Sequence, residues 1–166
     1  NNSADNYFIS LGLSGLATED IMKVDNLNGL TEIVKQLNKV NASNSNLIIL
    51  HLGTNDIYNL SKAKYRAEFK GNMDKIITYM QKEINIENNK LCLIIPPKAN
   101  ESKYRITKSE YLDYKSAVLE LAAQYNLIII DYSTTNFFQE SLYEDGVHPN
   151  NQGHKRISEI LLKTNF

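Results

Sequence analysis

The sequence predicts an α/β domain with a mostly parallel sheet. Three apolar runs carry that expectation, at residues 47–52, 91–95 and 127–130. Each has the length of a strand and lacks the polar alternation of a half-exposed one, which marks strands covered on both faces. Between them lie segments whose apolar residues recur at helical spacing. Strands alternating with helices build a parallel sheet with helices packed over it. With 166 residues, the chain fits one domain with a substantial core, and it shows no internal repeat, low-complexity tract or second domain.

Taken in order, residues 6–11 (Asn-Tyr-Phe-Ile-Ser-Leu) read as a short strand that runs into the turn Gly12-Leu-Ser-Gly15. Thr18-Glu-Asp-Ile-Met suggests a helix start, with Thr18 as N-cap and acidic residues in the first turn. Leu30, Ile33, Val34, Leu37 and Val40 follow helical spacing over residues 29–42. A polar loop at 41–46 leads into the strand at 47–52, which is interrupted only by His51. That ring is expected in the layer between sheet and helices, as a satisfied core histidine. Residues 61–86 form a long helix with Phe69, Met73, Ile76, Ile77, Met80 and Ile84 on one face. The strand at 91–95 stops at Pro96-Pro97, and residues 98–106 are a charged loop beyond its carboxyl end. Residues 107–125 read as a helix with Tyr111, Tyr114, Val118, Leu121 and Ala122 inward, and 127–130 as a strand closed by Asp131. Residues 134–144 are irregular or a short helix, and 150–162 are the last helix, with Ile157, Ile160 and Leu161 inward.

Composition excludes several functions. A net charge of −1 argues against a broad nucleic-acid surface. No apolar run approaches the roughly 20 residues of a membrane span. Three scattered histidines and one cysteine offer no zinc spacing, and no phosphate loop or dinucleotide fingerprint occurs. No metal or cofactor is expected. Cys92, inside an apolar run, should pack as a small hydrophobe. The Asn, Lys and Ile usage suits an AT-rich bacterial genome. The sequence assigns no compartment; a soluble protein, secreted or of the cell envelope, fits it.

Two stretches could carry chemistry. In Asp145-Gly-Val-His148-Pro a carboxylate stands three residues before an imidazole, just ahead of a helix. That spacing lets the carboxylate hold one ring nitrogen while the other faces a cleft, the orienter–base pair that activates a hydroxyl. In isolation the motif reads more readily as an acidic loop with an exposed histidine. The second stretch is His51-Leu-Gly-Thr-Asn55-Asp56, just past a strand, where ligands of parallel sheets bind. Asn55 and Gly15 both follow strands, so a side-chain amide and a backbone N–H could converge as an oxyanion hole. Alone, Asn55 reads equally as a cap or turn residue, Gly15 as a plain turn, and Asp56 as a capping carboxylate. His154 reads as a packing or surface residue.

Together these residues resemble the SGNH (GDSL-type) hydrolase family, over nearly the whole chain. The stretch from Ile9 to Asp20 resembles the family's second block, which implies that Gly15 N–H joins the oxyanion hole. His51-Leu-Gly-Thr-Asn55-Asp56 resembles the third block, whose asparagine supplies the second donor, here Asn55. Asp145-Gly-Val-His148-Pro-Asn-Asn-Gln-Gly-His154 resembles the fifth, which implies that Asp145 and His148 complete a catalytic triad. The resemblance further implies a flavodoxin-like three-layer α/β/α sandwich of strand order 2-1-3-4-5. It implies ester hydrolysis without metal or cofactor. Acetylated carbohydrates, lysophospholipids, thioesters and simple esters are the family's substrate range. With no obvious lid or long apolar patch, a small acyl group on a carbohydrate or other alcohol is expected. The loop at 98–105 and the segment 136–144, with Phe137, Phe138 and Tyr143, would shape a sugar-binding rim.

The departure is the first block. No Gly-Asp-Ser occurs in the 166 residues, and eleven residues precede Gly12. A strand plus a crossover needs at least roughly 10–12 residues between strands. Ser3 falls at the wrong end of the first strand. Ser14 is at the correct rim, and Gly12-Leu-Ser14 superficially imitates the motif, but its distance from the strand at 47 fits the second block. The absent strand would be the central one, and without it backbone groups in the core would go unpaired. The expectation is therefore a single domain over residues 1–166 that lacks its amino-terminal β-α unit, with the triad serine on a segment outside this chain. A catalytically inactive binding or structural module is the second reading, favoured by the missing serine. Retention of Asp145, His148, Asn55 and Gly15 favours the enzyme.

Overall fold

The computed structural model describes residues 16–23, 35–39, 47–59, 62–96, 107–134 and 139–164. Among these residues, three strands, β1 (Ile48–Leu50), β2 (Leu91–Ile95) and β3 (Ile128–Asp131), form a parallel sheet in the order β1-β2-β3. Ile48 pairs with Leu91 and Leu50 with Leu93, while Cys92 pairs with Ile128 and Ile95 with Asp131. Among the described residues, the helices with both ends placed are α1 (Thr18–Lys23), α2 (Thr54–Asn59), α3 (Lys62–Ile84), α4 (Lys108–Tyr125) and α5 (Asn151–Lys163). Strands and helices alternate as expected for an α/β fold. The strand at 6–11, the turn at 12–15 and the loop at 98–106 lie outside the described residues. Of the helix expected over 29–42, residues 35–39 are described and helical, with Leu37 buried.

All five residues of β2 are buried, and they divide between two cores. Side chains alternate across a strand. Leu91, Leu93 and Ile95 therefore join Phe69, Met73, Ile76, Ile77 and Met80 of α3 and Tyr114, Val118 and Leu121 of α4. Cys92 and Ile94 face the other way, with Ile130 and Tyr132, against half-buried Ile157, Ile160 and Leu161 of α5. Helices on both faces are the physical reason that β2 is apolar without interruption. Each fully buried side chain of this size contributes about 1.5–3 kcal/mol.

α4 starts at a capping box. The Thr107 hydroxyl accepts from Glu110 N–H at 3.3 Å, and the Glu110 carboxylate accepts from Thr107 N–H at 2.7 Å. It ends at Asn126, held in the left-handed region at φ 52°. α3 and α4 are cross-linked by Lys70–Glu120 at 3.0 Å and by Asp74, which accepts from Tyr125 at 2.6 Å and Gln124 at 2.8 Å.

Three local expectations change. β1 has three residues rather than six, because the chain leaves the sheet to reach Gly53, whose φ of +107° opens α2. The Tyr114 hydroxyl is shared between Leu52 O at 3.2 Å and Ile94 O at 3.4 Å, so Leu52 finds a side-chain partner in place of a strand. Any side chain at Gly53 would meet the rings of Tyr114 and Phe69. Thr18 is not the N-cap of α1 but its first residue, completely buried, with its hydroxyl donated to Asp56. Asp20 reaches back to Ala17 N–H at 3.0 Å instead. His51 is an exposed residue rather than a core one, although desolvation by the surrounding protein still lowers its pKa.

Candidate active site

Parallel strands end on one edge, and the candidate residues follow those ends. The Asp145–His148 loop is closed by an antiparallel bridge between Tyr143 and Pro149 and by Glu144 N–H donating to His148 O at 2.9 Å. Within it, Asp145 Oδ1 accepts from Val147 N–H at 3.0 Å and His148 N–H at 2.8 Å. Asp145 Oδ2 lies 2.6 Å from His148 Nδ1. The His148 N–H, the imidazole and the Val147 N–H all favour the charged form, and they hold the Asp145 carboxyl well below the usual carboxylate range. An ionised carboxylate only accepts, so Nδ1 carries the ring proton of the neutral imidazole and Nε2 carries the lone pair. The His148 side chain is 74% exposed, which leaves the ring accessible.

The loop is anchored at both ends. Tyr143 is buried, and its phenol is raised by burial and by the neighbouring Tyr111. Tyr111 in turn donates to Pro96 O, immediately after β2, at 2.6 Å. Tyr143, expected with its segment to help shape a sugar-binding rim, is a buried anchor of this loop. Phe137 and Phe138 lie outside the described residues. On the other side, Asn150 caps α5, accepting from Gln152 N–H and Gly153 N–H, both at 3.0 Å. Its amide donates to Ser141 O at 2.8 Å and its backbone N–H to Leu142 O at 2.9 Å. One side chain therefore ties the start of α5 to the turn Glu140–Leu142 ahead of the loop.

Asn55, in the first turn of α2, is half-buried, and its Nδ2 donates to Leu16 O at 3.1 Å. One amide hydrogen is used there and the other remains for an acceptor. Leu16 directly follows Gly15, which lies outside the described residues, as do Ser3 and Ser14. The structure brings Asp145 to His148, and Asn55 to the residue after Gly15.

Two polar groupings were not foreseen from sequence. Asp56 is fully buried and receives both the N–H and the hydroxyl of Thr18. At the carboxyl end of β3, Lys115 Nζ contacts Asp131 Oδ2 and Ser133 Oγ, each at 2.7 Å, and Ser133 donates to Asp131 Oδ1 at 2.5 Å. Burial opposes the Asp131 charge, but the Lys115 and Ser133 hydrogen bonds prevail and keep its pKa below the ordinary value. Lys115 precedes Asp131 by a helix and a turn, so no short-range pattern announces this grouping. His154 is exposed on α5. Among the described residues, no group of three His, Cys, Asp or Glu could hold a metal, and no helix is long and apolar enough to cross a membrane.

Comparisons with known proteins bear on this arrangement. The fold is similar to a lipase/acylhydrolase from Enterococcus faecalis, with 24% identity, a TM-score of 0.61, and coverage of 90% of this chain and 70% of that one. It is similar to the aryl esterase of M. smegmatis, with 19% identity, a TM-score of 0.65, and coverage of 92% and 74%. An acetylxylan esterase from Geobacillus stearothermophilus matches with 14% identity, a TM-score of 0.62, and coverage of 92% and 68%. At such identities these likenesses speak for the flavodoxin-like fold. A search of curated proteins by sequence finds no match. The family model of GDSL-like lipases and acylhydrolases matches residues 1–161. The chain accordingly belongs to the GDSL-like lipase/acylhydrolase family, a family of carboxylic ester hydrolases.

Proposed function

We propose that the protein is a serine ester hydrolase that removes a small acyl group, such as acetyl, from a carbohydrate or another alcohol. The observation that carries this reading is the 2.6 Å contact between Asp145 Oδ2 and His148 Nδ1, in a chain of this family. The carboxylate fixes the tautomer with Nε2 unprotonated, steadies the imidazolium once it forms, and stays ionised throughout. Nε2 takes the proton of a serine hydroxyl as that oxygen attacks the ester carbonyl and returns it to the leaving alcohol. Water deprotonated by the same Nε2 then cleaves the acyl-serine bond, releasing the carboxylic acid and restoring the serine hydroxyl. Asn55 Nδ2 and Gly15 N–H stabilise the tetrahedral oxyanion. Gly-Asp-Ser is absent from the 166 residues, and in this proposal the nucleophile is carried by a segment outside them.

The preference for a small acyl group draws support from the acetylxylan esterase among the structural neighbours. The test compares turnover of p-nitrophenyl acetate, p-nitrophenyl octanoate and an acetylated xylo-oligosaccharide. Faster turnover of the acetyl esters is expected, and a preference for the octanoate overturns the small-acyl assignment. The second reading, an inactive relative that binds without turnover, is favoured by the absence of Gly-Asp-Ser. Binding of the acetylated oligosaccharide with no acetate release would establish it.

A further inference from the structure

We infer that Asp56 is a positioning residue for the oxyanion hole, acting through Thr18 on a segment 38 residues away in sequence. The inference rests on the ester-hydrolase reading and extends it. Asp56 and Thr18 are both completely buried. Thr18 N–H donates to both carboxylate oxygens of Asp56 at 3.0 Å, and the Thr18 hydroxyl donates to Oδ1. The same hydroxyl accepts from Asn72 Nδ2 of α3 at 3.3 Å, so α3 completes a chain from Asn72 through Thr18 to Asp56. Next to this latch, Asn55 Nδ2 donates to Leu16 O. Two adjacent residues at the start of α2 thus grip two points, Leu16 and Thr18, on the other segment.

That geometry bears on the two proposed donors. Asn55 belongs to one segment, and Gly15 is joined by a peptide bond to Leu16 of the other. Neither segment is covalently near the other, so their separation depends on what joins them. Every hydrogen bond that Thr18 makes to Asp56 is donated to the carboxylate, and a group with only acceptors suits that role. An amide in its place turns N–H hydrogens toward one of these donors. A buried carboxylate without its donors is unfavourable, so the latch resists opening. Small displacements of a positioned group cost rate out of proportion to their size.

The test uses the full-length protein with Thr18→Val, Thr18→Ser and Asp56→Asn. It reads kcat and KM on p-nitrophenyl acetate and the side-chain amide signals of Asn55 in a nitrogen–proton correlation spectrum. Thr18→Val should lower kcat about tenfold to a hundredfold, with KM within about twofold, and should shift the Asn55 signals. Thr18→Ser keeps the hydroxyl and should restore both. A folded Thr18→Val variant with wild-type kcat, a loss confined to KM, or unmoved Asn55 signals each overturns the inference, as does a Thr18→Ser variant as impaired as Thr18→Val. If Asp56→Asn does not fold, the Thr18 pair decides. If the wild-type protein turns over no ester, the ester-hydrolase reading fails by itself. The Asn55 signals then decide the latch, supporting it if they shift in Thr18→Val and overturning it if they do not.

Discussion

Gly153 in α5 lies so close to Leu142 that a Cβ on it would overlap the Leu142 carbonyl oxygen and stand 2.8 Å from Pro149 Cβ. The carbonyl is backbone and already accepts from Asn150 N–H, so it has little freedom to move. Leu142 and Pro149 flank the Asp145–His148 loop, and the absence of a side chain at 153 sets how the loop is seated.

Gly153→Ala should therefore destabilise the fold by about 1–2 kcal/mol, the strain of overpacking exceeding the helix propensity that Ala adds. Urea unfolding measures this. Equal or higher stability would show that α5 can slide away from the turn at no cost.

Asn55→Ala removes an oxyanion donor and should lower kcat about 100- to 1000-fold, with KM little changed. It also removes the hydrogen bond to Leu16 O, worth about 1 kcal/mol of stability. Steady-state kinetics beside a thermal melt separates the two effects. Unchanged turnover would remove Asn55 from the site.

The Asp145 carboxyl should titrate below its ordinary value of 3.8, because the His148 and Val147 N–H groups and the imidazole bind its charged form. A depressed pKa in the folded state favours folding above the unfolded value. That contribution is lost as pH falls through the folded pKa. Carbon NMR of the Asp145 carboxyl from pH 5 downward follows the titration, and a midpoint at or above 3.8 would mean that the 2.6 Å contact does not persist in solution.

Burial pushes the Cys92 thiol up to about 12, and its side chain packs within the core that faces α5. The native protein should resist a thiol-specific disulfide reagent at pH 8 and react once denatured. Prompt reaction in the native state would place Cys92 at an accessible surface.

The sequence makes legible those features whose cause is local. β2 stands out because helices cover both of its faces, so none of its residues needs to be polar. α3 is equally clear, since Phe69, Met73, Ile76, Ile77, Met80 and Ile84 all point into one core. Asp145 and His148 could be paired because three residues separate them and the contact closes within one loop. Features made by distant residues stayed hidden. The Thr18–Asp56 latch joins two segments, and in sequence Thr18 looks like an ordinary N-cap. The Lys115–Asp131–Ser133 grouping forms only when α4 lies along β3. The burial of Tyr143 beside Tyr111 has no signature in its sequence neighbours. His51 differs from expectation, since an apolar run implies burial that its position at the end of β1 does not provide.

The most direct measurement is fluorophosphonate labelling of the full-length protein, followed by peptide mapping, with His148→Ala alongside. The expected result is one labelled serine outside residues 1–166, with labelling lost in His148→Ala because the base is gone. A label on Ser14 would contradict the placement of the nucleophile. No label in a folded protein with Asp145 and His148 intact would contradict the serine hydrolase mechanism itself.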